Sequence, residues 1–187
     1  KPKNLEISAF PNRGRDIAPL FAGFGSKLKK HKFIAHFHSK RSPHNPAKQD
    51  WRRQLMTHLI GSKGVAHSNL RLLMDNKHIG MIFPEYHWSL HNQISWGTNY
   101  FAAKELASKI PMKLNEERIQ PFPAGSMFIA RTAAIAQFFQ LNLKFSDFPE
   151  ENGQVDGTPA HAIERLLGEV VKFNKMHVQQ VRCERSH

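Results

Sequence analysis

Phe33-Ile-Ala-His-Phe-His-Ser-Lys-Arg-Ser42 changes within ten residues from an apolar, β-rich run to a basic polar turn. A short apolar run closed by polar residues reads as a buried strand, predicted here over Phe33 to His38. The turn beyond it offers His38, Ser39, Lys40, Arg41, Ser42 and His44 at the strand's end, where open α/β sheets bind ligands. Two other polar clusters, Asn12-Arg-Gly-Arg-Asp16 and Gly153-Gln-Val-Asp-Gly-Thr158, each precede a stretch with helical apolar spacing. One site assembled from all three loops is the simplest expectation.

Working outward, Leu5 to Phe10 reads as a buried strand feeding the Asn12 loop. Ile17, Leu20, Phe21, Phe24 and Leu28 then form an amphipathic stripe, with Asp16 as N-cap and Pro19 in the first turn. Helices are predicted from about Asp50 to Gly61, where Trp51, Leu55 and Leu59 share a face, and over Val65 to Met74. Ile79 to Phe83 and Gly125 to Ala130 read as strands, and Ala133 to Leu141 as a helix. A last helix starts with Thr158 as cap and Pro159 at its first position, burying Ile163, Leu166, Leu167 and Val170. Strands alternating with helices predict an α/β layer fold, three-layer and Rossmann-like, with a mostly parallel central sheet flanked by helices. The segment Pro84 to Tyr100, with Trp88, His91, Trp96 and Gly97, is long for a connector and reads as a lid or acceptor wall.

The 187 residues fit a single domain, 1–187, that needs no disulfide, and Cys183 is alone. That cysteine usage favours a cytoplasmic location. No apolar run of about eighteen residues marks a membrane span. Lys1-Pro-Lys-Asn4 reads as sequence from the middle of a longer protein. The formal charge of +12 points to an anionic partner, with solubility as the plain alternative. Nucleic acid is the weaker candidate, because most of the 14 phenylalanines fall at core spacings rather than interleaving with the basic residues.

Each loop has a chemical reading and a plain one. Arg13 and Arg15 beside Gly14 at a helix entry suit a phosphate, or an ordinary surface turn. The His38 to Ser42 turn contains no carboxylate, so it suits direct neutralisation of a leaving diphosphate by cationic donors better than a bound cation, or is a solvated basic turn. His36 and His38 share a strand face and are possible ligands of a metal site with no evident third member; otherwise His36 is a satisfied core histidine. In the third loop Asp156, before Gly157, is the first choice for a general base, against a simple turn role. His161, Glu164 and Arg165 follow within one helical turn of each other.

Taken together, Asn12-Arg-Gly-Arg-Asp-Ile-Ala-Pro19, His38-Ser-Lys-Arg-Ser-Pro-His44, Phe122-Pro-Ala-Gly-Ser-Met-Phe128 and Gly153-Gln-Val-Asp-Gly-Thr-Pro-Ala-His-Ala-Ile-Glu-Arg165 resemble the rhamnan synthesis protein F family, and Trp51-Arg52 fits as well. The resemblance implies bacterial cell-surface polysaccharide or lipopolysaccharide assembly by a glycosyltransferase, often a rhamnosyltransferase, of the A-type fold. In A-type enzymes an Asp-x-Asp motif holds a metal after the middle strand, and His38-Ser-Lys40 stands in its place here. Gly125-Ser126-Met127 is similar to the acceptor-side strand of those enzymes, and Asp156 falls near their catalytic base. The strands that bind the nucleotide base would precede this chain, which is then a fragment or one domain of a longer protein.

The expected roles follow. Asn12, Arg13, Arg15, Asp16, His38, Ser39, Lys40 and Arg41 hold the donor; Asp156 is the base; Trp88, Trp96, Gly125, Ser126, His161, Glu164 and Arg165 face the acceptor. The expected partners are a nucleotide sugar such as dTDP-rhamnose, a glycan or lipid-linked glycan, and other polysaccharide-assembly enzymes, at the inner face of the plasma membrane. No cofactor is assigned, and a divalent cation, magnesium or manganese, is the less favoured alternative. Three rivals remain: a non-catalytic module binding nucleotide sugars or anionic glycans, a nucleic-acid-binding domain, and a metal-dependent hydrolase using His36 and His38.

Overall fold

The computed structural model describes residues 4–39, 49–154 and 156–183. Strands β1 (Phe33–His36), β2 (Ile79–Pro84), β3 (Phe128–Arg131) and β4 (His177–Val181) form one sheet in the order β1-β3-β2-β4. β3 runs antiparallel to both neighbours, with Ile34 opposite Ala130 and Ile82 opposite Ile129, and β2 runs parallel to β4. The expectation of a mostly parallel sheet is therefore corrected to a mixed one. The chain leaves β2 and enters β3 at the same end of the sheet. Helix α4 (Tyr100–Ser108) and the irregular segment 109–127 make an excursion there rather than a crossover.

Helices cover both faces. On one, α2 (Gln49–Ile60) and α3 (Lys63–Asp75) bring Trp51, Leu55, Leu59 and Leu73 against Ile79, Ile82 and Ile129. On the other, besides the short α5 (Ala136–Gln140), α4 and α6 (Pro159–Phe173) bring Leu106, Ile163, Leu167 and Val170 against Met81, Phe83, Phe128 and Ala130. Ile79 and Met81 reach opposite faces although they are two residues apart, because a register irregularity separates them.

Some sequence expectations change. The helix expected over Ile17 to Leu28 is split into a π-helical turn, Pro19–Gly23, and the short α1, Gly25–Leu28. Phe24 N–H bonds five residues back to Pro19 O at 2.9 Å, and Gly23 packs so closely on the Phe10 ring that a Cβ there would lie 2.7 Å from it. Leu5 to Phe10 is not a strand, and Leu5 and Ile7 are exposed. Phe10 alone of this run meets aromatic partners, Phe24 at 5.1 Å and Phe145 at 5.2 Å. Among the described residues no helix is long and apolar enough to cross a membrane.

The direction of the strands decides where a site can form. β1, β2 and β4 all point their C-terminal ends toward the end at which β3 begins. His36, the Gly125-Ser126 turn, Glu85 and Arg182 consequently crowd one end of the sheet.

Candidate functional site

The first and third loops are stapled together. Gly14 and Arg15 both have positive φ, 65° and 54°, turning the chain so that Arg13 pairs antiparallel with Glu150. A Cβ on Gly14 would lie 2.6 Å from Ala18 and from the Phe148 ring, so glycine is needed for closeness as well as conformation. Arg13 donates to Phe148 O at 2.9 Å and to Glu150 Oε1 at 2.7 Å. Arg15 donates its backbone N–H to Glu151 Oε1 at 3.2 Å and its guanidinium to Gln154 O. Asn12 is exposed and accepts Glu151 N–H on its carbonyl at 3.3 Å.

The second loop closes against the entry to β3. Gly125 and Ser126, at φ 88° and 58°, present successive carbonyls to the histidines of β1 and its extension. His36 Nδ1–H donates to Ser126 O at 2.5 Å, and His38 Nε2–H donates to Gly125 O at 2.8 Å. Asp16 Oδ2 lies 4.0 Å from His36 Nε2 and 3.8 Å from His38 Nε2, buried and without a hydrogen bond. Burial lowers the His36 pKa, and the Asp16 charge and the Ser126 carbonyl only partly offset it. Ser39 is exposed. Lys40, Arg41, Ser42 and His44 lie outside the described residues. The described residues bring together no group of three or more histidine, cysteine or acidic side chains able to hold a metal ion.

Asp156 stands where the third loop meets the Pro84 to Tyr100 segment. Asn99 Nδ2 donates to its Oδ1 at 2.6 Å, Thr98 Oγ1 donates to its Oδ2 at 3.2 Å, and Arg165 Nη2 is 3.3 Å from its Oδ1. Burial alone would raise the pKa of this carboxyl. The Asn99 bond, the Arg165 charge, His161 and Thr98 outweigh it and hold the group below the ordinary carboxylate range. Asn99 is fully buried and fixes the turn from both ends, accepting Gly157 N–H at 2.9 Å and donating to Trp96 O at 3.0 Å.

The start of α6 supplies the rest. His161 is buried, with Nδ1 2.8 Å from Thr158 Oγ1 and Nε2 without a partner. Burial, and then the nearby Arg15 charge, push its pKa down to about 4, so it is neutral at physiological pH. Glu164 Oε1 accepts Gly125 N–H at 2.6 Å. Arg165 donates Nε–H to Ser95 O at 3.0 Å, and its guanidinium carbon sits 5.6 Å from the centre of the Phe122 ring.

These groups wall a cavity of about 510 Å³, lined by Arg15, Trp51, Gly125, Asp156, His161, Glu164 and Arg165 with Ser95 and Gly97. The structure thus gathers into one cavity residues expected from the first loop, the Gly125 turn and the third loop. His38 and Ser126 lie behind its Gly125 wall. Arg13 is turned to Glu150, and neither Trp88 nor Trp96 lines the cavity. Trp96 is buried, donating its indole N–H to Asn115 O at 2.9 Å and packing edge-on to Tyr100, whereas Trp88 is 67% exposed elsewhere. Sequence reasoning missed Asn99, Thr98 and Ser95, whose roles exist only once the long segment folds over α6. It placed Trp51 on a buried helix face, and the structure adds that Trp51 is also part of the cavity wall.

Among known proteins, the chain is 31% identical over 177 residues to the protein WxcX of Xanthomonas campestris pv. campestris, strains B100 and ATCC 33913, both described as uncharacterized. The alignment covers 94% of this chain and 25% of each relative, so the chain spans about a quarter of the length of the curated relatives it matches. No solved structure matches it. The family model for rhamnan synthesis protein F matches residues 1–176. On that match, the chain belongs to the rhamnan synthesis protein F family.

Proposed function

We propose that this chain is a glycosyltransferase domain that moves rhamnose from a nucleoside diphosphate donor, dTDP-rhamnose, to a glycan or lipid-linked glycan acceptor. The reaction serves surface polysaccharide and lipopolysaccharide assembly at the cytoplasmic side of the membrane, beside other assembly enzymes. The observation that carries the reading is Asp156, an ionised carboxylate held by Asn99, Thr98 and Arg165 on the wall of a cavity of about 510 Å³.

In this reading an acceptor hydroxyl lies against Asp156. Its oxygen attacks the anomeric carbon of the donor, the bond from that carbon to the diphosphate oxygen breaks, and the proton passes to Asp156. The electron pair leaves with the diphosphate, whose added charge is met by Arg15 and by the cations of the His38-Ser-Lys-Arg41 motif. Glu164, by holding Gly125 N–H at 2.6 Å, fixes the wall behind the acceptor, and Arg165 fixes Asp156. Guanidinium and ammonium groups carry the counter-charge, so the reading needs no divalent cation. The test is transfer from dTDP-rhamnose to a rhamnosyl acceptor, with and without a chelator. Asp156→Asn should lower kcat by about a hundredfold or more in a chain that remains folded, with a thermal midpoint lowered only as the lost Arg165 ion pair and one lost acceptor require. Full activity of that variant would remove the assignment.

One observation favours a binding module instead: both oxygens of Asp156 already accept hydrogen bonds. Saturable donor binding without turnover under any acceptor would select that reading.

A further inference from the structure

A second cleft, of about 860 Å³, opens at the same end of the sheet and, among the described residues, shares no lining residue with the first. Its floor lies at the C-terminal ends of β2 and β4, the parallel pair, where Glu85 N–H bonds to Val181 O at 3.0 Å. Ends of parallel strands leave a crevice that suits ligands. One wall is the Asp50, Arg53, Gln54 and Thr57 stripe of α2, which points away from the buried Trp51, Leu55 and Leu59 stripe. The rim is the turn Trp88–Leu90, preceded by His87. Leu90 of that turn, and Trp51 of that helix, line the first cavity, so one helix and one turn separate the two spaces.

Trp88 is 67% exposed, and its ring lies 5.2 Å from that of His87. An indole left in water at the edge of a polar cleft offers a flat apolar face with polar groups around it. Those groups are unusual for a chain with a formal charge of +12, because among the described residues that line the cleft the arginines and carboxylates are paired. Arg53 lies 3.5 Å from Asp50, and Arg182 lies 3.5 Å from Glu85. The two histidines are poised as neutral donors. His58 Nδ1 accepts Cys183 N–H at 3.1 Å and His87 Nδ1 accepts Ser89 N–H at 3.3 Å, which leaves the ring proton of each neutral imidazole on Nε2. Burial lowers the pKa of both. A charge-balanced cleft with neutral donors, acceptor carboxylates and an aromatic plate disfavours a polyanion and matches a ligand with many hydroxyls and an apolar ring face.

We infer that this cleft binds a neutral oligosaccharide, one pyranose ring stacking on Trp88 and its hydroxyls bonding to His58, His87, Gln54 and the two paired arginine and carboxylate couples. Its role as the place that holds the non-reacting part of the acceptor, beside the cavity containing Asp156, rests on the function proposed above; the binding does not.

The test is isothermal titration of the full chain with a linear rhamnose tetrasaccharide, without donor, at low and high salt. Saturable binding that survives high salt is expected. Trp88→Ala should weaken it about tenfold or more, and Trp88→Phe, which restores an aromatic plate, should recover most of the loss. Because Trp88 is exposed, the thermal midpoint of both variants should match the wild type. Equal affinity in wild type and Trp88→Ala, absence of binding, or preference for an anionic oligosaccharide with strong salt dependence would each overturn the inference. No donor and no turnover enter the measurement, so binding that depends on Trp88 in a chain with no transferase activity would refute the proposed function alone.

Discussion

Asn99 Nδ2 lies 2.6 Å from Asp156 Oδ1, and the same amide accepts Gly157 N–H at 2.9 Å, so one fully buried side chain both orients the carboxylate and holds the turn that carries it. The bond favours the ionised form of Asp156. Its loss in Asn99→Ala should raise the Asp156 pKa toward the ordinary carboxylate value. The acid limb of the pH–rate profile should then move upward in pH. Misplacement of the carboxylate should lower kcat about tenfold or more, with a smaller change in donor KM. Leaving Gly157 N–H unsatisfied should cost about 2 kcal/mol of stability in urea unfolding. An unmoved pH profile would show that Asn99 supports the fold and not the carboxylate.

Arg13 and Arg15 are two residues apart but separable by mutation. Arg13 joins Phe148 O and Glu150 across the loops, whereas Arg15 reaches the cavity wall. Arg13→Ala should cost about 1 kcal/mol of stability with little effect on donor KM, because its ion pair is solvent-exposed. Arg15→Ala should raise donor KM about tenfold with a smaller change in stability. Steady-state kinetics together with urea midpoints for the two variants check both halves.

Much of this was legible from periodicity alone. The stripes of α2 and α6 bury as their spacing implied, with Leu55, Leu59, Ile163 and Leu166 almost fully out of solvent. Asp156, His161, Glu164 and Arg165, singled out by residue type and position, and Gly125, singled out by the family resemblance, meet in one cavity. Strand direction was not legible, since alternation of strand and helix is the same whether α4 crosses the sheet or returns to the end it left. β4, with the pattern His177-Val-Gln-Gln-Val181, is an edge strand with exposed polar positions and too few apolar residues to announce itself. Leu5 and Ile7 carried the composition of a strand but pair with none, because apolar content specifies a strand only where an edge receives it. Trp88 and Trp96 were indistinguishable as letters; the nearby Asn115 carbonyl and Tyr100 ring seat one, and the other stays in solvent.

His161 links the site to acid stability. Its pKa is about 4 in the folded chain against 6.5 for an ordinary histidine, so the unfolded chain binds more protons between those values. Stability from this group is therefore complete above about pH 6.5 and lost as pH falls toward 4, an effect on the order of 2 kcal/mol after solvent screening. His36, whose pKa burial also lowers, acts with the same sign. Urea midpoints measured from pH 7.5 to pH 4.5 should fall steeply for the wild type and more gently for His161→Gln. Parallel curves would show that His161 does not titrate as its surroundings imply.

Two glycines separate stability from chemistry. Gly168 on α6 faces the 120–121 segment so closely that a Cβ would lie 2.0 Å from Pro121 O, and the neighbouring Glu169 accepts Gln120 N–H at 2.9 Å. A methyl group there has backbone in its way, so Gly168→Ala should force α6 from its seat and cost about 3 kcal/mol, seen as a lower urea midpoint. Gly97 has φ 54°, and its Cβ would lie 2.9 Å from Asp156 Oδ2, at an exposed turn. Gly97→Ala should cost only about 1 kcal/mol of backbone strain. Its methyl would displace the carboxylate at the cavity wall, so kcat should fall about tenfold while the fold persists. A Gly97→Ala enzyme with normal kcat would mean that the position of Asp156 does not set the rate, and the base assignment would fall with it.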